Sequence, residues 1–268
     1  MIIALIILVV LAVLYLLALR GRTRHPMLRK LRRWKYAHRG LHGIGVPENS
    51  MAAFRLALEN GYGIELDVHM LADGNLAVIH DASLLRTAGV DVKIEDLTTK
   101  ELTSYPLEGT NETIPTFQQV LDLFDGKAPM IVELKPENGN HDALTAAACE
   151  MLADYPGLYC MESFDPRCIR WLKKNRPDIV RGQLAHNSLH EPGKVPYILR
   201  FIMTNLLSNF WNTPDFIAYR YCDRNRLSVR LSRDFWKIQG VSWTLKTQED
   251  YATAVNENWI PIFEGFKP

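Results

Sequence analysis

Eight short apolar runs recur along the chain, each of strand length, and amphipathic stretches separate most of them. The runs are Lys35–His38, Gly63–Met70, Met130–Lys135, Leu158–Phe164, Ile179–Ala185, Asp215–Arg220, Val241–Lys246 and Pro261–Glu264. Between them, Asn49–Asn60, Thr116–Phe124, His141–Tyr155, Asp165–Asn175, Asn225–Ile238 and Gln248–Asn256 carry apolar residues at helical spacing. Several open on start signals, Asn49/Ser50 and Asp165-Pro166 among them, where proline fits the first turn. Alternating βα units dictate a parallel sheet with right-handed crossovers. Eight of them in 268 residues predict an α/β fold closed as a (β/α)8 TIM barrel, which typically takes roughly 250 residues. No G-x-G-x-x-G follows any run, which disfavours a doubly wound dinucleotide-binding sheet. Leu76–His80 follows "ADGN", Ala72 to Asn75, and Asp-Gly between two apolar runs predicts a strand folded back antiparallel on Gly63–Met70.

The N-terminus follows different rules. Met1 to Leu19 carries no charge and is nearly all Leu, Ile, Val and Ala. As a helix it spans about 28 Å, near the ~30 Å hydrocarbon core of a bilayer. Neither a basic stretch before it nor a small-x-small cleavage site after it is present, so a retained single-pass transmembrane anchor is favoured over a signal peptide. Residues 20–35 then hold eight Lys/Arg and no acid. This basic juxtamembrane neck places the barrel, residues 36–268, at the cytoplasmic face of the cell membrane and would lie against anionic lipid. The formal charge of +1 hides this asymmetry. The remaining 23 basic residues face 30 acidic ones, so the body is acidic and nucleic acid is excluded as its partner. Cys149, Cys160, Cys168 and Cys222 form no CxxC, which fits buried thiols in a reducing compartment rather than zinc.

Chemistry in such a barrel sits at the C-terminal ends of the strands. "IELDVHM" alternates Glu65, Asp67 and His69 with Ile64, Leu66 and Val68, so period two puts the three polar residues on one face. Met130–Lys135 ends in Glu133 and Lys135, again on one face. Three carboxylates converging inside a barrel repel one another unless a cation joins them. Oxygen ligands favour a hard divalent metal, Ca2+ or Mg2+. His38 and His80 each close an apolar run beside a charged neighbour, as an acid/base pair for phosphodiester cleavage requires. Arg39 and Lys135 would neutralise the phosphoryl oxygens. His69, His141, His186 and His190 read as structural, and His42 receives no role.

The set His38-Arg39-Gly40, "PENS" at Pro47–Ser50, "ELDV" at Glu65–Val68, "DGNLAVIHD" at Asp73–Asp81 and "ELKP" at Glu133–Pro136 resembles the glycerophosphodiester phosphodiesterase family. "ESFDP" at Glu162–Pro166 and "VSWTLKT" at Val241–Thr247 extend the likeness more loosely. The resemblance implies a metal-dependent barrel that hydrolyses glycerophosphodiesters to glycerol 3-phosphate and an alcohol. It implies His38 and His80 as acid and base, Glu65, Asp67 and Glu133 as metal ligands, Arg39 and Lys135 as phosphate contacts, and Trp243 in the pocket lining. Glu48 is expected to support these side chains from behind. Where many members end the barrel with an Asp-Gly-Ile-Ile-Thr-Asp-x-Pro type strand, this chain reads "IPIFEGFKP", which leaves the pocket floor and the substrate open. Lysophospholipase D activity on membrane lysolipids is one alternative. A catalytically silent membrane scaffold is another, and an unrelated sugar isomerase barrel a third. His190–Thr213 is long for a crossover and rich in aromatic residues. It is either a helix packed on the barrel or a cover over the mouth that touches the bilayer.

Overall fold

The computed structural model describes residues 1–191 and 195–268. Nine strands form among the described residues: β1 (Tyr36–His38), β2 (Gly63–Met70), β3 (Leu76–Val78), β4 (Met130–Leu134), β5 (Tyr159–Ser163), β6 (Arg181–Ala185), β7 (Phe216–Arg220), β8 (Gln239–Leu245) and β9 (Trp259–Phe263). Eight run parallel, and β1 pairs with both β9 and β2, which closes the barrel. The ninth, β3, folds back antiparallel with Val68 opposite Val78, as the Asp-Gly turn predicts.

The helices are α1 (Ile2–Ala18), α2 (Leu28–Leu31), α3 (Met51–Glu59), α4 (Leu85–Ala88), α5 (Phe117–Phe124), α6 (His141–Met151), α7 (Pro166–Asn175), α8 (Tyr197–Thr204), α9 (Asn209–Asn212), α10 (Leu227–Arg230) and α11 (Gln248–Asn256). The α3 cap is Ser50, whose hydroxyl accepts from the Ala53 amide at 3.1 Å. Thr116 and Gln119 close a capping box on α5, and Asp165 caps α7 ahead of Pro166.

Period two sorts the core. Ile64, Leu66, Val68, Met130 and Val132 point outward into the layer shared with the helices. Tyr36, Ile131, Phe216, Val241 and Ile262 point inward and fill the lower barrel. Gly182 makes room there, since a Cβ on it would lie 2.0 Å from the Phe216 ring. A satellite cluster, with Leu84, Ile94 and Leu102, packs the loop that follows β3.

The N-terminal expectation needs correction. The helix is seventeen residues, not nineteen. No helix among the described residues is long and apolar enough to cross a membrane, so a transmembrane span over residues 1–19 is not borne out. The end of the apolar run turns into the protein: Leu19 is fully buried, and the Trp236 indole donates to the Leu16 carbonyl at 2.7 Å. Residues 1–14 remain exposed throughout. The basic segment is not a free ribbon either. Arg22 pairs with the buried Asp215 (2.7 Å) and donates to the Pro177 carbonyl (2.6 Å) beneath β6 and β7. Leu28 and Leu31 plug the barrel floor beside Tyr36. From that floor α1 runs back past α9 and the Trp236 indole.

Candidate active site

The upper barrel layer is acidic. Asp67 and Glu133 are in register on neighbouring strands, as are Glu133 and Glu162. Oxygens of Glu65, Asp67 and Glu133 lie within 4.8 Å of one another, and all three residues are buried. Burial and the adjoining Asp67 and Glu133 charges push Glu65 well above the carboxylate range. Burial raises Glu133 to about 7, with Lys135 opposing and Asp67 adding to the rise. Asp67 goes the other way. Burial alone would raise it, but Lys135, His80, Arg39 and the Asn49 amide at 2.8 Å together hold it well below the ordinary value. Lys135 Nζ lies 3.2 Å from Asp67 and 2.8 Å from Glu133. Neither Asp67 Oδ1 nor Glu133 Oε1 receives an aligned hydrogen bond. Buried carboxylate oxygens facing one another, two of them met only by the poorly aligned Lys135 ammonium, are the donor set a hard divalent cation takes. The residues fit the expected metal.

Each expected histidine is held by a carboxylate through Nδ1. His38 Nδ1 is 2.6 Å from Glu264 Oε2, and His80 Nδ1 is 2.5 Å from Asp81 Oδ1. A carboxylate on Nδ1 fixes the proton there and leaves Nε2 as the free lone pair. His38 Nε2 lies 3.9 Å from Glu65. Burial lowers both imidazoles below their ordinary value, with the Glu264 and Asp81 bonds pulling the other way. Glu264 is in turn held down at about 2 by its bond to His38. Lys246 Nζ, 3.0 Å away, also steadies it.

Arg39 donates to Glu48 at 2.8 Å and its Nε lies 3.5 Å from Asp67. Glu48 also accepts from Arg86 at 2.6 Å, and Arg86 holds Asp81. One chain of charges thus links the Arg39 side of the mouth to His80. Arg39 and Asn49 both take left-handed φ values, 53° and 51°, an arrangement that turns both side chains toward Asp67. Trp243 lines the mouth with Phe164 (ring centroids 5.7 Å apart) and His186 (6.2 Å). His69, which reads as structural, donates from Nε2 to the His80 carbonyl at 3.2 Å.

All the expected residues therefore gather in one place. Sequence reasoning misses Glu264 and Glu162, although both show the same signal as Glu133, an acid in the inward phase of a strand-like run. His42 also approaches His38 and Glu264.

Of His190–Thr213, residues Pro192, Gly193 and Lys194 lie outside the described residues. The rest includes α8 and α9. Leu206 and Asn209 are buried against the barrel, while Tyr197, Ile198, Leu199 and Phe210 are exposed.

Charged groups gathered at the C-terminal rim of a closed (β/α)8 sheet place the chain among the barrel enzymes. The model of the glycerophosphoryl diester phosphodiesterase family matches residues 38–258, and the chain belongs to that family of hydrolases. A glycerophosphodiester phosphodiesterase of Bacillus altitudinis is 32% identical over 168 residues, 59% of this chain and 68% of that protein. The rat lysophospholipase D GDPD1 is 33% identical over 132 residues, 44% of this chain and 40% of the relative. An Oleispira antarctica phosphodiesterase, solved with its product sn-glycerol-3-phosphate, superposes with a TM-score of 0.70 at 22% identity, over 86% of this chain and 92% of that one. That likeness establishes the fold.

Proposed function

We propose that this enzyme hydrolyses glycerophosphodiesters to glycerol 3-phosphate and an alcohol, with His38 and His80 as acid and base. The observation that carries the reading is that two histidines, each oriented by a carboxylate on Nδ1, flank one cluster of buried acids. The oxygen of water bonds to phosphorus while the P–O bond to the alcohol breaks. One Nε2 takes the proton of water, and the other imidazole returns a proton to the leaving oxygen. Glu65, Asp67 and Glu133 would hold Ca2+ or Mg2+. When bound, such an ion neutralises charge that builds on the phosphoryl oxygens. Arg39 and Lys135 hold the phosphate, Glu48 fixes Arg39, and Trp243 walls the pocket.

The test is release of free alcohol from a panel of glycerophosphodiesters, with and without chelator. No release from any member removes the reading, and full activity in excess EDTA removes the metal. Glu133→Gln is expected to abolish turnover while remaining folded. Saturating metal at about 100 times its dissociation constant adds about 2.7 kcal/mol to a protein that binds it. Thermal melts should therefore show a metal-dependent rise in the unmodified protein and none in Glu133→Gln.

The catalytic domain is held at the cytoplasmic face of the cell membrane. Support comes from the exposed apolar residues of α1 and from the basic residues that follow them. Protease digestion of the barrel from outside intact cells contradicts this placement.

A further inference from the structure

A second group of metal-capable side chains stands at the mouth, beside the acid cluster and made of different donors. His38, His42 and Glu264 each bring one ligand atom, all within 4.8 Å of one another. Glu65, Asp67 and Glu133 offer oxygen alone, whereas this group offers two imidazole nitrogens and one carboxylate. Oxygen donors suit Ca2+ or Mg2+, while imidazoles suit Zn2+ and its transition-metal neighbours. Two histidines and a glutamate are also a ligand set that zinc takes with one coordination position left open.

The backbone explains how two histidines four positions apart come to share one acid. Arg39 and Gly40 follow β1 in left-handed conformation, φ 53° and 81°, and the Leu41 amide donates to the Ala53 carbonyl at 3.0 Å. A Cβ at Gly40 would lie 2.8 Å from the Ala53 Cβ, so glycine is what lets this turn press against α3. Gly43 and Val46 then exchange backbone hydrogen bonds at 2.9 Å, which closes the loop just beyond His42. Glu264 arrives from the far end of the chain, one residue past β9, the strand paired with β1. Lys246 lies 3.0 Å from its Oε1, and His38 Nδ1 lies 2.6 Å from its Oε2. His42 differs from both: its Nε2 is buried and has no hydrogen-bond partner among the described residues. A buried ring nitrogen without a partner costs free energy, and a bound cation is one partner that removes the cost. Gly43, Ile44 and Gly45 beside it are exposed, so an ion has a path from solvent.

We propose that His38, His42 and Glu264 form an inhibitory site for Zn2+, separate from the carboxylate site for the hard cation. Zinc shares His38 with catalysis, so its binding removes the base. Bound through Nδ1, it replaces the hydrogen bond to Glu264, and the ring proton shifts to Nε2, which then has no lone pair for water. Bound through Nε2, it occupies that lone pair itself. Glu65, Asp67 and Glu133 keep their own ion in either case. The effect on rate rests on the acid/base reading of His38, whereas the binding does not.

The experiment titrates Zn2+ into the full chain in saturating Mg2+ and follows both binding and glycerophosphocholine hydrolysis. Binding is read by calorimetry, and with Co2+ in place of Zn2+ by the visible absorption of a nitrogen-ligated site of low coordination number. The unmodified protein should bind zinc without giving up Mg2+ and lose turnover in step with occupancy. His42→Gln, at a half-buried position whose Nε2 holds no hydrogen bond, should keep its turnover in Mg2+ alone. Its zinc affinity and zinc sensitivity should both fall by more than about 10–100-fold, the loss seen when only a supporting partner of a metal ligand is removed. Glu133→Gln should keep the cobalt band, which places that ion away from the carboxylates. Equal zinc inhibition of His42→Gln and the unmodified protein overturns the site, and so does release of Mg2+ in proportion to zinc bound. Binding that needs His42 but leaves turnover unchanged overturns the inhibition, and with it His38 as the base. Binding that needs His42 in a protein with no turnover in any metal sinks the phosphodiesterase reading alone.

Discussion

Glu264, one residue past the end of β9, holds His38 through Nδ1 at 2.6 Å. A carboxylate in that position selects the tautomer with Nε2 free and stabilises the imidazolium once a proton arrives. Glu264→Gln should therefore lower kcat by about 10–100-fold, the usual loss when an orienting partner is removed. The pH profile distinguishes this from a packing defect. Burial lowers His38, and the Glu264 bond and charge raise it. Without the charge, His38 falls further, so the acid limb of kcat/KM should move to lower pH. A loss of rate with an unmoved limb would assign Glu264 a purely structural part.

Among the elements, α2 shows how a short helix can close a barrel. Its single turn is too brief to be stable alone, and it persists because Leu28 and Leu31 bury their side chains under the lower barrel layer. Arg22 clamps the preceding segment to Asp215, which is fully buried and also accepts from the Arg181 amide at 3.0 Å. Leu31→Ala should cost about 2–5 kcal/mol, as large-to-small changes at buried sites do. Denaturant unfolding checks this directly. A change under about 0.5 kcal/mol would mean the floor closes without the plug. The acids of β2, by contrast, are legible in the sequence alone. Strict alternation in "IELDVHM" assigns Glu65, Asp67 and His69 to one face whatever the neighbours are.

For the molecule as a whole, the exposed portion of α1 and the barrel are separable. Residues 1–14 are exposed along their whole length, whereas Leu19 is buried. Deleting residues 1–14 should leave the melting temperature and glycerophosphocholine turnover near those of the full chain and release the protein from membranes on flotation. Deleting residues 1–21 removes Leu19 as well and should lower the melting temperature by several degrees. Equal melting temperatures for the two truncations would show that Leu19 adds nothing to the fold.

The sequence by itself determined the barrel, its hairpin, the converging acids and the two histidines, because these follow from local periods: two along a strand, about 3.6 along a helix, and a turn at Asp-Gly. Tertiary structure decided the rest. An apolar run specifies only that water is excluded, and hydrocarbon transfer is similarly favourable into lipid or into protein. Nothing local could say that Leu19 would enter the core or that Leu28 and Leu31 would seal the floor. Glu264 was hidden for the same reason. Its role depends on β9 closing against β1, which brings residues 226 positions apart to hydrogen-bond distance.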